Sequence, residues 1–274
     1  MDAIRRVAGC AVLLAVVASP SAQEPTELTG PLPPEQMETF LLDGEVGRLR
    51  SAGDGITDSK RATLTHQGQA HDAHIQDIDE ERALFEAGGK SEVGFRDSYK
   101  FNIAAYHLAQ LIGFEQVPMS VERRVNGRSS SVTWWVDDVH MDEGDRLEQQ
   151  AYGPDRERFF KQIYVLYLFD ELIQNRDRNP GNILWTSDFT MWLIDHSRAF
   201  RLGNDLEKPE RLLRVERTLL DRLRGLTREA FEARAGRWLT GRQIDAVMAR
   251  RDKIVAHFDE RIGRMGEAAI LYSW

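Results

Sequence analysis

Asn175-Arg176-Asp177-Arg178-Asn179-Pro180-Gly181-Asn182-Ile183-Leu184, followed by Leu193-Ile194-Asp195, is the stretch whose reading decides the fold. Asp177 stands five residues before Asn182, and Asp195 closes a short apolar run. Between them lie Ile183-Leu184-Trp185 and Met191-Trp192-Leu193-Ile194, with Thr186-Ser187-Asp188 available to turn the chain. Two apolar runs about a polar turn predict a strand, a turn and a second strand. Such a hairpin sets Asn182 and Asp195 at neighbouring positions on its open end. The plainest reading of Asn179-Pro180-Gly181 is turn chemistry ahead of a buried hairpin.

These residue types also suit phosphoryl transfer, which needs a metal bridging the phosphates and a group to orient the attacking hydroxyl. Magnesium is a hard cation that takes oxygen ligands and keeps some of its water. Asp195 and Asn182 offer one carboxylate and one amide oxygen, and Asp177 is left to accept the hydroxyl proton. In the protein-kinase catalytic loop the base Asp and the metal Asn have this spacing, and a metal Asp follows on the next hairpin.

The stretch resembles the catalytic core of atypical kinases, above all the lipid-kinase-like, HipA-like and secretory-pathway (Golgi casein kinase) branches. Those carry Asp-Arg-x-x-x-Asn-Ile/Leu-Leu and then Ile-Asp-x-x in place of Asp-Phe-Gly. Here the versions are Asp177-Arg178-Asn179-Pro180-Gly181-Asn182-Ile183-Leu184 and Ile194-Asp195-His196-Ser197-Arg198-Ala199-Phe200. The resemblance extends over about residues 53–200. It implies an α+β, two-lobed protein-kinase-like fold, with a small β-rich N-lobe bearing one helix and a larger, mainly helical C-lobe. It further implies ATP or another nucleoside triphosphate as donor and Mg²⁺ or Mn²⁺ as metal. Asp177 would be the base, with Asn182 and Asp195 as metal ligands.

A chain of 274 residues suffices for one two-lobed domain. A net charge of −8 with no basic stripe argues against a nucleic-acid partner. In the C-terminal third, Arg residues alternate with Asp and Glu, the pattern of solvated helix faces. Residues 1–22 read as a secretory signal peptide: Arg5 and Arg6, an apolar core from Val7 to Ala18, then Ser19-Pro20-Ser21-Ala22. The run is short for a membrane span. Val7-Ala8-Gly9-Cys10 resembles a lipobox, but the apolar run follows Cys10 instead of preceding it. The expectation is an exported protein (periplasmic, secreted or in the secretory-pathway lumen) with no transmembrane span in the mature chain. Cys10 is the single cysteine, so the mature chain holds no disulfide or thiolate metal site. Residues 23–50 read as a leader, 51–150 as the N-lobe and 151–274 as the C-lobe.

Within the leader, 35–42 reads as a short helix. Gly53, Gly55, Thr57 and Ser59 then precede Lys60 and a short alternating strand. Glycines let backbone N–H groups approach phosphates, and Lys60 could meet their charge; a glycine-bearing hairpin in any β-lobe looks the same. His66 to Gln69 is a turn, and 70–79 alternates as a strand. His71 and His74 point to opposite faces of it, which argues against a shared metal and leaves them as solvated strand residues. Phe95 to Gly113 has the apolar stripe of a helix, stopped by Gly113. Val117–Arg124 and Ser131–His140 read as strands joined by Asn126-Gly127, with Met119, Trp134 and Trp135 as core. Asp137 to Asp145 is an acidic connector between lobes. Pro154, Asp155 and Glu157 open a strong apolar helix that runs into Asn175. Beyond Phe200 the expectation is helices over 206–224, 227–238 and 241–262, with Thr227 and Thr240 as N-caps.

An active kinase pairs a strand Lys with a helix Glu. The resemblance puts those positions at Gln76 and Asn102, both amides. In one reading Lys60 takes over the phosphate contact, with Arg96 and Lys100 as further candidate cations. In the other the chain is a pseudokinase that binds nucleotide or a protein partner without turnover. An exported protein meets little free ATP outside a secretory-pathway lumen, which keeps the second reading open. A third is a structural exported domain that has lost the pocket. The acceptor (protein, lipid, sugar or small molecule) is not written in the sequence.

Overall fold

The computed structural model describes residues 25–28, 30, 32–51, 60–87 and 90–274, with backbone alone over 83–93. The expectations at 1–22 and at Gly53, Gly55, Thr57 and Ser59 lie outside the described residues. The N-terminal half runs β1 (Thr26–Glu27), α1 (Pro34–Asp43), β2 (Glu45–Val46), β3 (Arg50–Ser51), β4 (Lys60–His66) and β5 (Gln69–Gln76). It continues through β6 (Asp79–Ala87), β7 (Lys90–Ser98), α2 (Lys100–Ile112), β8 (Ser120–Val125) and β9 (Arg128–Trp134).

The main sheet has the order β2-β4-β5-β9-β8, with β1 beside β5 and β3 beside β4. Side chains alternate between its faces, and the register sorts them. Lys60, Ala62 and Leu64 stand opposite Ile75, Ala73 and His71. This face carries the apolar cluster in which Phe40 and Leu41 of α1 meet Ala62, Leu64, Ala73, Ile75 and Val132. The opposite face carries Gln76, Ser131 and Ser120 as buried polar residues, and there α2 crosses β8 and β9. A helix thus covers each face, one dry and one polar. Asn126 and Gly127 take φ of 49° and 82°, the left-handed pair of a tight hairpin turn between β8 and β9.

The C-terminal half runs β10 (Val139–Asp142), α3 (Glu143–Gln149), α4 (Arg156–Ile173), β11 (Ile183–Thr186), β12 (Met191–Leu193), β13 (Val215–Glu216), α5 (Arg217–Gly225), α6 (Arg228–Ala235), α7 (Gly241–Met265), α8 (Glu267–Ile270) and β14 (Leu271–Tyr272). Strands β10-β11-β12 form a small sheet. The larger core gathers Phe159, Leu166, Phe169 and Leu172 of α4 with Trp185, Leu193, Phe200, Phe231, Ile244 and Phe258, and takes in Phe101 and Leu108 of α2. Asp155 caps α4 by accepting the N–H groups of Glu157 and Arg158. Thr240 and Gln243 form a reciprocal capping box on α7. No helix among the described residues is long and apolar enough to cross a membrane.

Several local expectations are corrected. The helix expected from Phe95 begins at Lys100, because Phe95 to Ser98 pair with Asp79 to Arg82 as the end of a β6–β7 ribbon that the sequence did not suggest. Ser131–His140 is not one strand: β9 ends at Trp134, Asp138 takes a φ of 55°, and β10 then joins β11 in the other sheet. Helix 206–224 shrinks to α5, since 205–208 is held as loop by Glu171, which accepts the N–H groups of Glu207 and Lys208. The expected helix at 227–238 is α6, Arg228–Ala235, capped by Thr227. His71 and His74 are not solvated: His71 stacks on Trp134 with ring centroids 3.8 Å apart, and burial pushes the His74 pKa down against the opposing pull of Asp195.

Candidate active site

Helix α4 delivers the chain to the catalytic-loop stretch. Gln174 caps it at a φ of 50°, and the Asn175 N–H donates back to the Asp170 carbonyl at 2.9 Å. The Asn175 side chain accepts the Asp177 N–H at 3.2 Å, a local turn that fixes the Asp177 backbone. Pro180–Asn182 form a single 3-10 turn leading into β11. Opposite it, the Ile194 N–H donates to the Asn182 carbonyl at 3.1 Å. Asn182 and Asp195 therefore stand at the open end of one hairpin, as neighbours.

Arg178 fastens this arrangement. Its guanidinium donates to Asp170 on α4 at 2.9 and 3.1 Å, to the Ile194 carbonyl at 2.6 Å and to the Asn182 carbonyl at 3.2 Å. One side chain joins the central helix to both strand ends that carry Asn182 and Asp195. Asp195 takes a φ of 49°, a left-handed conformation that Asp tolerates better than most residues. Phe200 returns the segment to the core: it is fully buried, and its N–H donates to the Ile173 carbonyl at 2.7 Å.

The N-terminal half grips the same loop. Asn102 of α2 donates to Gln76 Oε1 at 2.6 Å, and its Oδ1 accepts the His196 N–H at 2.7 Å. The two amides thus meet, as a hydrogen-bonded pair at the positions where an active kinase has its Lys–Glu ion pair, and Asn102 reaches on to the residue after Asp195. Gln76 is buried, and its Nε2 has no partner among the described residues. From β7, the Ser98 N–H donates to the Ser197 carbonyl at 2.8 Å. Asp97 accepts from the Ser197 hydroxyl, while burial, together with the charges of Asp195 and Glu80, holds its pKa up. The Ser197 N–H donates to Asp195 Oδ1 at 3.2 Å. His74, on the sheet face of Gln76, feels the Asp195 charge directly.

The guanidinium of Arg198 donates to Asp177 and lies 4.9 Å from the centre of the Phe95 ring. The loop 195–198 therefore bears a carboxylate at one end and a cation on the Asp177 carboxylate at the other. Lys60 is placed differently from the expectation. Its register partner is Ile75, so it falls on the α1 face, while His74 and Gln76 fall on the opposite one. Arg96 is engaged by Glu81 on the β6–β7 ribbon and Lys100 by Asp79, each at 2.6 Å. No site role was read in the sequence for Arg178, Arg198, Asp97 or His74. His74 was legible from its two-residue spacing to Gln76. Arg198 and Asp97 had no local signal, because their neighbours are distant in the chain.

The donor set fits a hard divalent cation: one carboxylate, one carboxamide and no thiolate. Among the described residues no three His, Cys, Asp or Glu side chains converge as a preformed cage.

No protein-family model matches the chain, and no curated protein matches it. Solved structures do. A hydra Fam20 structure with sugar aligns at 13% identity and a TM-score of 0.64, over 86% of this chain and 90% of the other. A Golgi casein kinase structure with Mn/ADP bound aligns at 14% identity and a TM-score of 0.62, over 88% of this chain and 79% of the other. A further Golgi casein kinase structure aligns at 15% identity and a TM-score of 0.59, over 86% of this chain and 78% of the other. Likeness at these identities is likeness of fold. The chain has an atypical kinase-like fold, α+β and two-lobed.

Proposed function

We propose that the chain is an exported kinase-like phosphotransferase that moves the terminal phosphate of a nucleoside triphosphate to a hydroxyl acceptor. The observation that carries this reading is the junction at the hairpin mouth. Arg178 holds the backbones of Asn182 and Ile194 together, and the loop leaving Asp195 returns Arg198 to Asp177. Asn182 and Asp195 would hold Mg²⁺ or Mn²⁺, which would supply charge neutralisation between the phosphates. Asp177 orients the acceptor hydroxyl and takes its proton. The acceptor oxygen bonds to the terminal phosphorus as the bridging oxygen–phosphorus bond breaks, and the nucleoside diphosphate leaves. The solved neighbour with Mn/ADP bound supports this choice of ligands. Export through residues 1–22 and the lobe boundary near residue 150 belong to the same proposal.

A second reading is favoured by the amide pair. Gln76 and Asn102 hold α2 to β5 but cannot neutralise phosphate charge, so nucleotide binding without turnover is the alternative. Phosphate transfer from γ-labelled ATP with Mn²⁺, followed with the mature protein, tests both. The enzyme reading expects transfer that falls about a hundredfold or more in Asp195→Ala. Thermal stabilisation by Mn²⁺–ATP with no transfer favours the pseudokinase, and transfer undiminished in Asp195→Ala refutes the site.

A further inference from the structure

We propose that Arg198 is the cation that meets the terminal phosphate of the bound nucleotide, in place of the strand Lys whose position Gln76 occupies. The inference rests on the nucleotide-binding reading above. It begins from a deficit. Gln76 and Asn102 carry no charge, Lys60 lies on the α1 face, and Arg61 is engaged by Asp72 beside Trp135, with its guanidinium 4.1 Å from the Trp135 ring. Arg96 and Lys100 are paired on the β6–β7 side. None of these cations stands at the hairpin mouth.

Arg198 does. It lies on the loop leaving Asp195, touches Asp177, and feels the Asp97 carboxylate. Its exposure separates it from the structural arginine nearby: the Arg198 side chain is 25% exposed and Asp177 35%, whereas the Arg178 side chain is 9% exposed. Arg178 is sealed around carbonyls and Asp170; Arg198 keeps a quarter of its side chain exposed beside the Asp177 carboxylate. A guanidinium has five N–H donors in a planar fork whose geometry matches phosphate oxygens as well as carboxylate. The Phe95 ring beneath it fixes its height.

The local charge balance points the same way. Asp177 accepts from the Arg198 guanidinium, and Asp97 feels both Arg198 and Asp195. A divalent ion would offset the surplus of carboxylate, but a triphosphate brings further negative charge, and its terminal group would sit against Asp177. A cation bonded to Asp177 screens that carboxylate from the phosphate and holds the hydroxyl-accepting oxygen in line.

Isothermal titration of the mature protein with Mn²⁺–ATP, Mn²⁺–ADP and adenosine decides the matter, in wild type, Arg198→Ala and Arg198→Lys. The expected result is a loss of ATP affinity on the order of tenfold to a hundredfold in Arg198→Ala, the scale of a charge-assisted hydrogen bond. ADP affinity should stay within about threefold, and Arg198→Lys should recover part of the preference for ATP. Equal losses for ATP and ADP, or ATP binding undiminished in Arg198→Ala, overturn the assignment while leaving the nucleotide site standing. Absence of nucleotide binding in the wild type overturns both. Should Arg198→Ala fail to fold, Arg198→Gln, uncharged but closer in length, decides alone: an ATP preference lost supports the assignment, and one undiminished refutes it.

Discussion

Asn102→Ala is the substitution whose cost can be worked most closely from the structure. Asn102 is 6% exposed. Its Nδ2 donates to Gln76 Oε1 at 2.6 Å, and its Oδ1 accepts the His196 N–H at 2.7 Å. Truncation strands a buried amide oxygen on β5 and a buried backbone N–H on the loop after Asp195. Each orphaned group costs about 1–3 kcal/mol, so the expected loss is about 2–6 kcal/mol. In a domain of this size that is a fall in Tm of roughly 5–15 °C. Gln76→Ala is the matched control: it deletes the same amide–amide bond but leaves the His196 N–H paired, and should cost about half as much. Urea denaturation of both variants, with unchanged m-values, measures the difference. If the two variants lose the same stability, Asn102 does not hold the Asp195 loop; a loss below about 1 kcal/mol for Asn102→Ala would show that the buried amide pair is not what couples α2 to β5.

Arg178→Ala leaves the Asp170 carboxylate buried without its cation, and should cost about 3–5 kcal/mol in denaturant unfolding. Arg178→Lys should recover little, because an ammonium cannot span Asp170 and two carbonyls; full recovery would refute the bridging role. His107 stacks on Trp238 with centroids 4.9 Å apart, and burial lowers its pKa from 6.5 to about 4. The unfolded chain therefore binds a proton first as pH falls. Stability is complete above 6.5 and declines between 6.5 and about 4, by about 2 kcal/mol once the ring's exposed edge is allowed for. His107→Gln should flatten that part of the pH–stability curve, and an unchanged slope would remove His107 as the cause. Lys60→Met should leave Mn²⁺–ATP affinity within about twofold, as its place on the α1 face requires; a tenfold loss would mean that β4 twists Lys60 into the cleft.

How much of this was legible in the sequence depends on the range over which each feature is decided. The hairpin at 183–193, the Asn126-Gly127 turn, the Gly113 stop and the Thr227 and Thr240 caps are written within a few residues, and each is found. The kinase-like fold follows from the catalytic stretch because its spacing is local too. What failed was decided by partners far along the chain. Phe95 to Ser98 have a helix's apolar rhythm, yet a strand beginning at Asp79 claims them. Residues 205–208 have helical neighbours, yet Glu171 holds their backbone N–H groups. His71 and His74 look solvated in an alternating strand, and only the tertiary stack on Trp134 and the nearness of Asp195 bury them.

The amide pair and Arg198 together suggest how the fold divides two tasks that one ion pair usually performs. A strand Lys bonded to a helix Glu both positions the helix and presents charge to the phosphates. Here the positioning is done by neutral groups: Asn102 ties α2 to Gln76 and to His196, at no cost of burying a charge. A buried ion pair adds little net stability over such a neutral pair, because desolvation offsets most of its attraction. With Arg198 as the proposed phosphate contact, the charge is needed only where phosphate would arrive, on the loop that Asn102 steadies. The division makes the two functions separable by experiment. Gln76→Lys with Asn102→Glu should cost stability, since the new ion pair must be desolvated, Glu cannot donate to Ser131, and its longer side chain displaces the oxygen that accepts the His196 N–H. The double variant should therefore lose stability while Arg198→Ala loses ATP preference, and a single variant that loses both in proportion would argue that the two tasks were never apart.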